Sequence, residues 1–237
     1  MISRINLVLS LAIAAYLTLA ATPGISTKTL NCRRSAERIS SHTDRVRLAE
    51  TLLAKLGYWT GPIDGVLDED SRQALVAFQK ITGRTPHGRL TNSDLEALKS
   101  AKKPRPQISE GFHLEIDLAK QVLYIVDEGV IKTILTASTG KGIQFTDGGW
   151  TRRAITPVGK FKIERKMEGI RASSLGSMYY PMYINKGVAI HGSQFVAAGP
   201  STHGCIAIPI HAAEVLNKVI PLGTDVIIYG RPPSSRK

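Results

Sequence analysis

The sequence predicts an α+β protein of two domains, a small three-helix bundle followed by a mostly β domain. Three observations predict it. Apolar residues recur at helical spacing between Thr43 and Ser100, the period drops to two from Phe112 onward, and a proline-rich stretch separates the two regimes. The chain has 237 residues, of which 43% are hydrophobic and 21% charged, an ordinary globular composition with room for a sizeable core.

In the first regime Val46, Ala49, Leu52, Leu53 and Leu56 line one helical face, and Gly57 follows as a stop. A second helix fits Ser71 to Thr82, with Ala74, Leu75, Phe78 and Ile81 inward and Gly83 after it. A third begins at Thr91, whose hydroxyl caps it while Asp94 answers three residues on. Residues 22–42 are polar and show no apolar period, so they read as a tether. The stretch AKKPRPQ inside 101–111 reads as the linker between the domains.

The second domain, 112–230, opens with the alternating His113 to Leu118. The apolar, β-branched Gln121 to Val126 follows, then a turn at Asp127-Glu128-Gly129 into Val130 to Ala137. Further strands fit Gly159 to Glu164, Pro181 to Ile184, Val188 to His191 and Asp225 to Tyr229, with one helix over Pro209 to Val219. Glycine-rich Gly140 to Gly149 reads as a mobile loop beside a binding site, or else as a plain surface hairpin. Residues 231–237 are a polar tail.

Location is legible at the N-terminus. Arg4 precedes an apolar run from Ile5 to Ala21, with small residues at Thr18, Ala20 and Ala21. That is the plan of an export signal over residues 1–21, and the run is short for a bilayer span of about 20 residues, so cleavage is favoured over a membrane anchor. The expected location is exported: cell wall, periplasm or outside the cell. Lys and Arg number 31 against 19 Asp and Glu, a formal +12 spread along the chain, which suits diffuse affinity for polyanions. No run of five like charges and no zinc-finger spacing points to nucleic acid, and none is expected as a partner. Of the two cysteines, Cys32 sits in the polar tether and reads as incidental.

The chemistry concentrates in Ala189-Ile190-His191-Gly192 and Ser201-Thr202-His203-Gly204-Cys205. A thiol must lose its proton to attack a carbonyl, and an imidazole can take it. His191 ends a predicted strand, and the loop after it is long enough to return Cys205 alongside. Gly204 allows close backbone approach to a substrate, and the amides around it could form an oxyanion hole. The histidines His191, His203 and His211 with Cys205 match no standard zinc spacing, so no metal is expected.

Two resemblances sharpen this reading. The leucine-rich helix, Gly57-Tyr58-Trp59-Thr60-Gly61-Pro62-Ile63-Asp64-Gly65 and Ala74 to Gln79 resemble the peptidoglycan-binding three-helix domain. That implies binding of wall peptide or glycan and no catalysis, with Tyr58, Trp59 and Asp64 as candidate contacts, although the two aromatics would serve equally well to close the helical bundle. The pattern H-G, a loop, then T-H-G-C, with Ser138-Thr139-Gly140 and Thr156 to Phe161, resembles the YkuD-type L,D-transpeptidase catalytic domain. This second resemblance implies a β-sandwich-like fold with one helix and a cofactor-free acyl transfer. In it Cys205 would be the nucleophile, His191 the base, and the Gly192 carbonyl the group that orients the imidazole. His203 and Gly204 would shape the oxyanion and substrate site, with Ser201 and Thr202 hydrogen-bonding nearby. The implied reaction cleaves after the third residue of a tetrapeptide stem and joins that residue to a neighbouring stem, a 3→3 cross-link in wall biogenesis and cell-shape maintenance. Alternatives are a carboxypeptidase or other hydrolase of the same family, and a binding protein with impaired catalysis. One departure is Ala207, where many members carry arginine or asparagine.

Overall fold

The computed structural model describes residues 27–232, with side chains from Ser41 onward. The segment expected to direct export, residues 1–21, and residues 233–237 lie outside the described residues. By its contacts the chain divides into residues 1–39 and a second unit, residues 40–237. Among the described residues no helix is long and apolar enough to cross a membrane.

The first helix, α1 (Thr27–Leu56), begins earlier than the apolar period predicts. The stretch expected as a tether is therefore helical from Thr27. Its sequence lacks proline and glycine between Thr27 and Leu56 and is rich in Arg, Leu, Ala and Glu, so propensity sustains a helix where no apolar face demands one. Helix α2 (Glu69–Ile81) is capped by Asp68, whose side chain accepts from the Ser71 amide at 2.9 Å. Glu69 and Asp70 in its first turn and Lys80 in its last complement the helix dipole. Helix α3 (Asn92–Ser100) carries the expected reciprocal box: the Asp94 amide donates to Thr91 Oγ1, and the Thr91 amide donates to Asp94 Oδ2, both at 3.1 Å.

The β region forms two sheets. Strands β1 (Phe112–Asp117), β2 (Val122–Asp127) and β3 (Val130–Thr136) run as an antiparallel meander. Strand β12 (Asp225–Tyr229) pairs parallel to β1, and β6 (Gly159–Lys162) closes the order β3-β2-β1-β12-β6. The second sheet has the order β11-β10-β9-β7, from β7 (Arg165–Lys166), β9 (Gly176–Asn185), β10 (Val188–Ser193) and β11 (Ile206–Pro209). Strand β8 (Ile170–Ser173) adds to β9. A separate hairpin, β4 (Gln144–Asp147) with β5 (Trp150–Arg153), occupies the glycine-rich segment. Helix α4 (Ile210–Val219) follows β11 directly.

Two cores meet at the first sheet. One joins Leu114, Ile116, Leu123 and Ile125 to Ile190, Ile206 and Ile208 of the second sheet and to Leu216 of α4. The other joins Val122, Tyr124, Val126, Ile131 and Ile134 to Leu53, Tyr58, Leu75, Phe78 and Leu98 of the helical region. Strand β2 alternates between them residue by residue, which is why Val122 to Val126 is apolar without interruption. The helices and the sheets thus share a core within residues 40–237, where a linker suggested mutual independence.

That shared core also settles where two candidate wall-binding rings lie. Tyr58 is buried, its ring edge-to-face with Phe78 at 6.0 Å, and its backbone bridges to Ile134. Trp59 packs against the core between the sheets, and its indole N–H is buried without a partner. Tyr58 is thereby buried and Trp59 partly buried, as aromatics that close the bundle would be, and each joins the helical loop to the β region. Asp64 remains exposed, with Oδ1 accepting from the Val66 amide at 2.8 Å.

Candidate active site

Strand periodicity assigns the faces of the second sheet. Ile190, Ile206 and Ile208 point into the core, so His191 and Ala207 project from the opposite face. Strands β10 and β11 are parallel, with His191 opposite Ala207 and Ile190 opposite Ile206. Cys205 immediately precedes β11 and shares the face of Ala207 by the same alternation. The thiol and the imidazole therefore occupy one face of adjacent strands, diagonal to each other. Cys205 is a free thiol and half-buried.

The imidazole is locked. His191 is 8% exposed, and its Nδ1 lies 2.9 Å from the Gly192 carbonyl oxygen. A carbonyl only accepts, so Nδ1 carries the proton and Nε2 holds a free lone pair. Gly192 has no room for a side chain: an added Cβ would stand 3.0 Å from both Ala213 Cβ and Ile210 Cα. Helix α4 thus presses against the strand that carries His191. Burial pushes the His191 pKa down, with the Gly192 hydrogen bond pulling weakly the other way. Burial likewise pushes the Cys205 thiol up, opposed by a backbone hydrogen bond from Ala189. Both shifts favour the uncharged forms. The thiol donates to the Gly187 carbonyl at 3.8 Å.

The loop before the cysteine is fixed by hydroxyls. Thr202 Oγ1 donates to the Cys205 carbonyl at 2.6 Å and accepts from the Gly204 amide at 3.1 Å. The Gly204 amide is therefore already committed. Gly204 has a φ of +131°, and a Cβ there would meet the Ile155 carbonyl oxygen at 2.9 Å. Thr156 Oγ1 donates to the Gly204 carbonyl at 2.8 Å and accepts from the Gly140 amide at 2.9 Å. Ser201 shares a 2.8 Å hydroxyl contact with Ser138, and the amides of Ser201 and Thr202 both donate to the Thr139 carbonyl. His203 faces outward instead. Its Nε2 lies 3.3 Å from Lys141 Nζ, and its ring is 4.7 Å from that of Phe145 on β4. Its pKa is lowered, by burial first and by Lys141 second.

The structure thus gathers Cys205, His191, Gly192, Ser201, Thr202, His203 and Gly204 at one end of the second sheet. Sequence reasoning missed Lys141 and Phe145, whose only signal was a cation and a ring inside a glycine-rich segment. Ala207 lies 4% exposed opposite His191, and its backbone exchanges both hydrogen bonds with Ser138 at 2.9 Å. The described residues contain no group of three or more His, Cys, Asp or Glu that could hold a metal ion.

The described residues thus form a two-sheet β fold with a thiol and a buried imidazole on one strand face, preceded by a helical bundle. Residues 111–228 match the family model of the YkuD L,D-transpeptidase catalytic domain, and residues 42–98 match a peptidoglycan-binding domain. An L,D-transpeptidase structure from Xylanimonas cellulosilytica is 35% identical with a TM-score of 0.74, the match covering 78% of this chain and 92% of that one. A second, from Stackebrandtia nassauensis, is 23% identical with a TM-score of 0.47, covering 80% and 92%. The comparison with curated proteins gives no match. The chain belongs to the L,D-transpeptidase family.

Proposed function

We propose that this protein is an exported, cysteine-dependent L,D-transpeptidase that forms 3→3 cross-links in peptidoglycan. The observation that carries the reading is the shared strand face of Cys205 and His191, with Nδ1 anchored on the Gly192 carbonyl so that Nε2 is left basic. As the sulfur attacks the carbonyl of the third stem residue, Nε2 takes the thiol proton. The amide to the terminal D-alanine breaks, and its nitrogen leaves with that proton. The resulting thioester is attacked by the side-chain amine of a neighbouring stem. His191 takes a proton from the amine, and the new amide releases the sulfur, which regains it. Both half-reactions are acyl exchange at one sulfur, so no cofactor is required.

The oxyanion formed in each step needs backbone donors. With the Gly204 amide held by Thr202, that work falls to the neighbouring amides of His203 and Cys205. The peptidoglycan-binding match supports wall peptide or glycan as the partner, and Asp64 remains the surface candidate among the residues named for it. An N-terminal signal, cleaved or retained as an anchor, would place the enzyme at the wall.

The test uses a defined tetrapeptide muropeptide. Wild-type protein is expected to yield dimers joined between two third residues, identified by mass spectrometry, together with free D-alanine. Cys205→Ala is expected to yield neither. Release of D-alanine without dimers in the presence of acceptor would replace the transpeptidase with a hydrolase.

A further inference from the structure

A lysine of the helical region reaches into the β region behind the site. Lys80, in the last turn of α2, donates to the Gln121 carbonyl at 3.0 Å, to Thr136 Oγ1 at 2.7 Å and to the Ala137 carbonyl at 3.0 Å. These acceptors belong to residues that are at most 1% exposed. An ammonium has three hydrogens, and here it meets three acceptors. No carboxylate is paired with it among the described residues, and burial lowers its pKa to about 7. A methionine of similar length would fill the space without that desolvation cost.

The acceptors lead directly to the catalytic loop. Thr136 and Ala137 run into Ser138, whose backbone exchanges two hydrogen bonds with Ala207. The Gln121 side chain donates to Thr139 Oγ1 at 2.7 Å and accepts from the Thr139 amide at 2.9 Å. The Thr139 carbonyl in turn receives the amides of Ser201 and Thr202. Segment 136–140 is thus held by Lys80 and Gln121 on one side, and it holds the loop carrying His203, Gly204 and Cys205 on the other.

We propose that Lys80 is a positioning residue for acyl transfer: α2 sets the height of segment 136–140, and that segment sets the loop that cradles the reacting carbonyl. The role rests on the transpeptidase reading above. It makes the helical region part of the catalytic scaffold in addition to any wall binding.

The experiment measures kcat and KM on a soluble tetrapeptide stem with acceptor, iodoacetamide alkylation of Cys205, and thermal stability, for wild type and Lys80→Met. The expected result is a fall in kcat of about tenfold or more, from misplacement of the loop, with KM changed by less than about twofold. Alkylation, which needs only the sulfur, is expected to stay within about twofold of wild type. A folded Lys80→Met that keeps wild-type kcat overturns the proposal, as does a loss of kcat that only tracks the unfolded fraction. If Lys80→Met does not fold, Thr136→Val, which removes one acceptor, decides: a lowered kcat at unchanged KM supports the role, and unchanged kcat refutes it. A wild type that turns over no stem refutes the transpeptidase reading itself; an active wild type beside an equally active Lys80→Met refutes only the role of Lys80.

Discussion

Nδ1 of His191 faces the Gly192 carbonyl, and that contact decides the tautomer of the ring. Burial lowers the imidazole pKa and raises that of the thiol, so the proposed mechanism makes the nucleophile during attack and does not store it as an ion pair. The signs give a pH prediction. Iodoacetamide reacts with the thiolate, so alkylation of Cys205 is expected to keep rising beyond pH 9.0, the ordinary value for a thiol. Stem turnover needs the unprotonated imidazole, whose depressed pKa keeps it available, so kcat/KM is expected to fall only below pH 6.5, the ordinary value for histidine. An alkylation plateau well below pH 9, the signature of a preformed thiolate, would contradict that mechanism. At this scale the sequence was informative. The H-G and T-H-G-C residues all reach the site, because strand periodicity puts alternate residues on one face whatever the loop between them does. Tyr58 and Trp59 stayed ambiguous because an aromatic beside a glycine looks the same whether it lines a groove or fills a core.

The loop from Gly199 to Cys205 depends on one backbone state. Gly204 sits at positive φ with the Ile155 carbonyl where a Cβ would be. Gly204→Ala is expected to move the loop or strain it by about 1–3 kcal/mol. The variant should lose about tenfold or more in kcat while remaining folded, as steady-state kinetics and thermal melts would report. Wild-type kcat in that variant would mean the loop geometry is not used. Other elements differ in how they could be read. The capping box at Thr91 and Asp94 is a local signal, and it is present as expected. The β4–β5 hairpin is the surface hairpin offered as one reading of the glycine-rich segment, but its strands could not be placed because it stands off both main sheets and carries no buried alternation. Strand β8 is exposed along its length and was missed for the same reason. The early start of α1 was missed because propensity leaves no periodic trace.

At the scale of the whole molecule, the helical and β regions are joined by more than a linker. Besides the second core and Lys80, Asp70 at the start of α2 meets His211 at the start of α4, Oδ2 to Nδ1 at 2.9 Å. The His211 pKa is raised, chiefly by that hydrogen bond. Deleting residues 44–100 uncovers Val122, Tyr124, Val126, Ile131 and Ile134, each worth about 1.5–3 kcal/mol when buried. The truncated protein is expected to melt far below the full chain or to aggregate, and to lose stem turnover with it. A truncation that stays folded and fully active would show the β region to be autonomous. A pattern of helices, proline-rich stretch and strands reports the order of the parts but carries no trace of the surface they share. The apolar run at Val122 to Val126 was the one hint that β2 is covered on both faces.

In the proposed reaction Cys205 is acylated with His191 as its base. Intact-mass analysis with peptide mapping after incubation with an excess of acyl donor tests it directly. One adduct per chain, mapped to Cys205 and formed about 10²- to 10⁴-fold more slowly in His191→Ala, is the expected result. An adduct on another residue, or an undiminished rate in His191→Ala, would contradict it.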